Sequence, residues 1–131
     1  MIVESAKDMD NKECEKKTYK LTVTLQERYT YSIHLMRSLT NVVVLKYNDI
    51  TFAVPNRQKD GYKEVVGFII NAILDDARQK PGFDEHHSTS HLELFSHDDK
   101  LLYKSPPYRT MTINNYIIGC LSFHCGLLPE T

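Results

Sequence analysis

A chain of 131 residues, 41% of them hydrophobic and 25% charged, suits one domain that hides roughly two-thirds of the surface its unfolded form exposes. Its 16 Lys and Arg against 17 Asp and Glu leave a net charge of −1, so no basic excess advertises nucleic acid or an anionic membrane as a partner. No run reaches the ~18 apolar residues of a membrane span, because the best candidate, Val65 to Leu74, is short and interrupted by Gly67 and Asn71.

Met1 to Lys17 is rich in Lys, Asp and Glu and poor in apolar side chains, a composition that predicts a flexible tail over residues 1–17. From Tyr19 strict alternation sets in, with Tyr19, Leu21, Val23 and Leu25 on one face and Lys20, Thr22, Thr24 and Gln26 on the other. It resumes through Tyr29, Tyr31, Ile33 and Leu35, which predicts a hairpin; its turn lacks Gly and Asn, and a helix through 26–38 is the alternative. A second hairpin is predicted from Val42–Tyr47 and Ile50–Val54 around Asn48-Asp49, ended by Pro55. Asp60 can cap a helix running to about Gln79, whose Tyr62, Val65, Val66, Ile69, Ile73 and Ala77 recur at helical spacing until Lys80-Pro81-Gly82 stops it. After a polar loop from Phe83 to Ser90 come strand-like runs at His91–Phe95, Leu101–Tyr103 and Cys120–His124.

Hairpin, crossing helix, then two or three further strands is an order that resembles the ubiquitin-like β-grasp over roughly Asn41 to Gly126. Arg109-Thr110-Met111 through Asn115-Tyr116-Ile117 looks like the turn before the last strand of ubiquitin, two residues longer, and Ras-association domains fit the loop lengths as well. The resemblance implies an α+β fold: a mixed sheet with one main helix across it, in a single domain over 18–126, with the N-terminal hairpin added to it and 127–131 as a C-terminal tail. Val43, Leu45, Ile50, Phe52, Val54, Leu92, Leu94, Leu121 and Phe123 would then face the helix. Alternation would turn Glu93, Phe95, Ser122 and His124 to the opposite face, where many ubiquitin-like domains meet partners, so these four form the predicted protein-binding site.

Chemistry-bearing residues are sparse. His86, His87 and His91 with Asp84 and Glu85 could offer metal ligands, yet structural zinc sites recruit closely spaced cysteines and this loop has none, so a solvated loop is the expectation. Cys120, His124 and Cys125 are close in sequence, but free cysteine packs as a small hydrophobe, and no nucleophile elbow, phosphate loop or dinucleotide fingerprint is present. Three cysteines (Cys14, Cys120, Cys125) without an apolar signal-like N-terminus predict a reducing compartment, cytoplasmic or nuclear.

The expectation is a non-catalytic protein-interaction module without metal or cofactor. Two alternatives stay open: a transferable ubiquitin-like modifier processed at Gly126, and a small metal-binding or thiol protein using the His86–His91 loop. The final Leu128-Pro129-Glu130-Thr131 also looks like part of a sortase recognition sequence.

Overall fold

The period-two alternation of Tyr19–Leu25 and Tyr29–Leu35 becomes the strands β1 (Lys17–Leu25) and β2 (Tyr29–Arg37), and the Asn48-Asp49 turn joins β3 (Val42–Tyr47) to β4 (Ile50–Pro55). The computed structural model describes residues 17–37, 42–55 and 59–127, with backbone alone at 59 and 60. Helix α1 (Lys59–Arg78) follows, then β5 (Thr89–Ser96), β6 (Leu101–Lys104), β7 (Tyr108–Arg109), a 3₁₀ turn at Thr110–Thr112 and helix α2 (Ile113–His124). Among the described residues the fold is α+β: a seven-stranded sheet ordered β4-β3-β2-β1-β5-β6, with β7 also on β5, and two α-helices. No described helix is long and apolar enough to cross a membrane. The tail expected over 1–17 lies outside the described residues except for Lys17, and the cap expected from Asp60 lies outside the described side chains.

The N-terminal hairpin joins the sheet at its middle. β1 pairs with β2 on one side and β5 on the other, so Leu21 stands between Ile33 and Leu94, and Val23 between Tyr31 and Leu92. One face of the sheet buries Leu21, Val23, Leu25, Ile33, Leu35, Val43, Leu45, Leu92 and Leu94, each at most 1% exposed, beneath the helices. α1 supplies Tyr62, Val66, Ile69, Ile70, Ile73, Leu74 and Ala77 and packs against β3 and β4, while α2 supplies Ile113, Ile117, Cys120 and Leu121 and packs against β5 and α1. The other face carries Thr22, Thr24, Thr30 and Ser32 with Met36 and Val44, and β-branched Thr suits such an outward strand position. Thr24 and Thr30 share a cross-strand hydrogen bond of 2.9 Å there.

The missing turn glycine of the first hairpin has a local explanation. Gln26 and Glu27 take left-handed φ values of 54° and 53°, a conformation costing roughly 1–2 kcal/mol for an L-residue. The Gln26 side chain offsets this by donating to the Gly82 carbonyl at 2.9 Å and accepting from the Asp84 amide at 2.7 Å. Tyr29 and Tyr31 add hydroxyl bonds to the Pro81 carbonyl (3.0 Å) and the Asp76 carboxylate (2.6 Å), so the hairpin end and the C-terminal end of α1 are tied together.

Three expectations are corrected. Every described strand pairing is antiparallel, so the mixed sheet implied by the ubiquitin-like resemblance is not formed among these strands. The predicted strand Cys120–His124 is the second half of α2, because its apolar residues continue a stripe from Ile113 and Ile117 to Cys120 and Leu121 at helical spacing. Leu127, expected in the tail, is 1% exposed. Gly126 at φ 70° ends the helix, as glycine commonly does, and the Leu127 amide turns back to the Leu121 carbonyl at 3.3 Å. A Cβ on Gly126 would lie 2.8 Å from the Arg37 guanidinium, the mobile end of a long side chain that can move aside, so it is the left-handed φ that favours glycine here.

Ile69, 2% exposed beneath α1, tests this packing. Ile69→Ala is expected to lose ~2–5 kcal/mol in urea unfolding, and a loss under about 0.5 kcal/mol, the scale of a surface change, would remove the residue from the core.

Candidate interaction surface

Between β6 and β7 the chain must pass Pro106-Pro107, which cannot donate to a ladder, and Ser105 compensates for the break. Its amide donates to the Leu92 carbonyl and its Oγ accepts from the Leu92 amide, both at 2.9 Å. At the far end of β7 the fully buried Thr110 hydroxyl meets Ser88 Oγ at 2.8 Å and Ser90 Oγ at 2.7 Å, and its amide donates to the Ser88 carbonyl at 3.0 Å. These satisfied buried groups fix the corner from which α2 starts.

From that corner α2 turns Ile113, Ile117, Cys120 and Leu121 inward and leaves Tyr116 and Phe123, seven residues apart, on the outside. Tyr116 stacks on Tyr108 with ring centroids 3.5 Å apart. The Tyr108 and Tyr103 hydroxyls share a bond of 3.2 Å, and His124 stacks on Tyr103 at 4.2 Å. Phe123 meets His124 edge-on at 4.9 Å. The result is a continuous aromatic strip along β6, β7 and α2, with a shallow groove beside it whose lining includes Asn115 and Gly119. Phe123 is 84% exposed, the most exposed of the large apolar side chains described, and Tyr116 is 40% exposed. The bond to Tyr108, together with burial, pushes the Tyr103 phenol up to about 12. It therefore stays neutral at physiological pH.

The four predicted binding residues do not form one surface. Glu93 and Phe95 do face outward from β5, where Glu93 approaches Lys104 at 3.9 Å and the Lys20 ammonium sits 5.2 Å from the Phe95 ring centroid. Ser122 and His124 belong to α2 on the other side of the sheet: Ser122 hydrogen-bonds the Tyr62 hydroxyl and His124 lies on Tyr103. Alternation along a strand places Phe123 inward, whereas helical rotation turns it outward. Tyr103, Tyr108, Tyr116 and Phe123 were missed, and the signal that finds them is the Tyr116/Phe123 spacing once 113–124 is read as a helix.

The histidine loop spreads its imidazoles. His87 bonds Asp84 at 3.0 Å, His86 approaches the Met111 sulfur at 3.3 Å and His91 reaches Glu27 at 3.0 Å. Among the described residues no group of three or more His, Cys, Asp or Glu is placed to hold a metal ion. Glu85 instead takes a two-pronged bond from Arg78, at 2.7 and 2.9 Å, which holds its carboxyl below the usual range and fastens the loop to α1. Cys120 and Cys125 are free and buried, and burial pushes the Cys120 thiol up to about 12 and the Cys125 thiol up as well. Compared with known proteins, the chain matches no protein family, no curated protein and no solved structure.

A thiol pushed far above pH 8 supplies almost no thiolate, the reactive form. Iodoacetamide at pH 8 is therefore expected to spare Cys120 and Cys125 in the native protein and to modify both in denaturant. Mass spectrometry showing either one alkylated at a free-thiol rate in the folded state would contradict the burial.

Proposed function

We propose that this chain is a non-catalytic protein-interaction module that binds its partner through the aromatic strip ending at Phe123. The observation that supports it is a phenylalanine 84% exposed at the end of rings held in place by stacking. An exposed aromatic normally gives up area to water that another protein can reclaim. Rings already locked against one another lose little freedom on binding, which is the economical way to present an anchor. The strip itself offers phenol hydroxyls and the Asn115 amide around its apolar rings, so the partner that suits it has an apolar side chain flanked by hydrogen-bonding groups.

The competing readings draw less from the geometry. Processing at Gly126 would remove Leu127, a core residue. Thiol chemistry would need ionised cysteines, and burial opposes ionisation at Cys120 and Cys125. The interaction reading rests on the surface and does not need ubiquitin-like kinship. A reducing setting, cytoplasmic or nuclear, suits two cysteines that stay unpaired.

The test compares proteins captured from a native extract by wild type, Phe123→Ala and Tyr116→Ala. Phe123→Ala is expected to leave unfolding stability within about 0.5 kcal/mol, as at a surface site, while reducing recovery of the specific partner at least ~10-fold. Full recovery by both folded variants would remove the strip from the binding surface.

A further inference from the structure

The two edges of the sheet are built differently. The β6–β7 edge is interrupted at Pro106-Pro107, carries Lys104, and is irregular where β6 pairs with β5 at Leu94/Phe95. These are devices by which proteins prevent another strand from adding to an edge. The β4 edge has none of them before its last residue. Ile50-Thr51-Phe52-Ala53-Val54 carries no charge, pairs with β3 without a bulge, and meets Pro55 only at its end. No described strand pairs with its outer side.

Which main-chain groups reach that side follows from the turn. The two-residue connection at Asn48-Asp49 is closed by the hydrogen-bonded pair Tyr47 and Ile50, and pairs alternate along an antiparallel ladder. Phe52 and Val54 therefore spend their amides and carbonyls on β3, and Thr51 and Ala53 direct theirs outward. Above this edge the Phe52 ring lies 5.9 Å from Phe68 of α1, which is 65% exposed, and Ile50 is 50% exposed. A groove lined by Phe52, Val65, Phe68 and Asn71 continues the apolar surface from strand to helix.

We propose that this edge pairs with a second copy of the chain, β4 against β4 across a two-fold axis at Phe52. An antiparallel strand is complementary to itself under such an axis. Centring it on Phe52 sets Thr51 opposite Ala53 of the second copy and back again, so every outward amide and carbonyl of these residues is used while Pro55 stays out of the ladder. The two Phe52 rings then face each other beneath the Phe68 pair. Among the described residues Glu64 is the charged one in the groove lining. Helices meeting at Phe68 hold the two Glu64 residues about 12 Å apart along the helix axis, beyond the screening length of about 8 Å at physiological salt.

The contact is modest. A strand of six residues spans about 20 Å, and with the helix layer gives roughly 400 Å² per copy, short of the ~800 Å² per partner typical of stable complexes. The dimer is therefore weak and concentration-dependent, with a dissociation constant on the order of 100 μM.

Sedimentation equilibrium on the full chain, from ~10 μM to ~1 mM, tests this through mass action. Wild type is expected to shift from monomer to dimer, and Phe68→Lys and Ala53→Pro to weaken association at least ~10-fold, since proline is tolerated where an edge amide faces outward. Phe68→Lys alone decides should circular dichroism show Ala53→Pro unfolded. Phe123→Ala is expected to dimerise like wild type, which separates this edge from the aromatic strip. A wild type monomeric throughout, or a Phe68→Lys variant associating unchanged, overturns the proposal. A monomer that instead binds a synthetic peptide of residues 50–55 would make the edge a docking site for another protein's extended segment, and would overturn it too.

Discussion

Burial of one face of β1 is the constraint on which the rest of the molecule depends. Leu21, Val23 and Leu25 are at most 1% exposed, with β2 on one side and β5 on the other. A slip of one residue would drive Lys20, Thr22 and Thr24 into the core and expose all three aliphatics, so the register is strongly specified. The connection from β4 to β5 must then pass across β3, β2 and β1, about 19 Å at the usual strand spacing. Helix α1, with 20 residues, is about 30 Å long and can cover that distance. Its apolar stripe closes the same face that β1 opens.

Polar contacts place the ends of these layers. Gln26, Tyr29 and Tyr31 join the first turn to the end of α1 and the chain leaving it, so a strained turn and a helix terminus stabilise one another across 45 to 56 positions of sequence. Ser88, Ser90 and Thr110 do the same at the start of α2. Hydroxyls buried without partners would cost free energy, and their mutual satisfaction makes the corner rigid. The aromatic strip inherits that rigidity, because Tyr108 lies just before the corner and Tyr116 just after it.

The two faces of the sheet divide labour in a way that composition alone conceals. Threonines and a serine dominate the centre of the second face, from the buried Thr22 to the exposed Thr30, and they suit a polar strand surface while remaining good strand formers. Phe95 on that face is approached by the Lys20 ammonium, a contact within its own sheet. Large exposed apolar groups lie at the sheet margins, on the edge strands at Ile50, Leu101 and Leu102 and on the helices at Phe68 beside β4 and at Tyr116 and Phe123 beside β6 and β7.

What the sequence determined by itself is what depends on neighbours along the chain. Alternation over Tyr19–Leu25 and Tyr29–Leu35, turn formers at Asn48-Asp49 and the 3.6-residue spacing of Val66, Ile69, Ile73 and Ala77 are local signals, and the hairpins and α1 follow from them. Strand order carried no local signal: pairing β1 with β5 joins residues some seventy positions apart, and only the shared burial of Leu21 with Leu94 and Val23 with Leu92 selects it. Cys120–His124 alternates like a strand, and the choice of helix came from upstream residues Ile113 and Ile117 docking beside α1. That choice also placed the candidate site, because Phe123 lies about 200° around a helix from Leu121 but on the same side of a strand. Tertiary packing of α2 alone decided that Leu121 is core and Phe123 is surface.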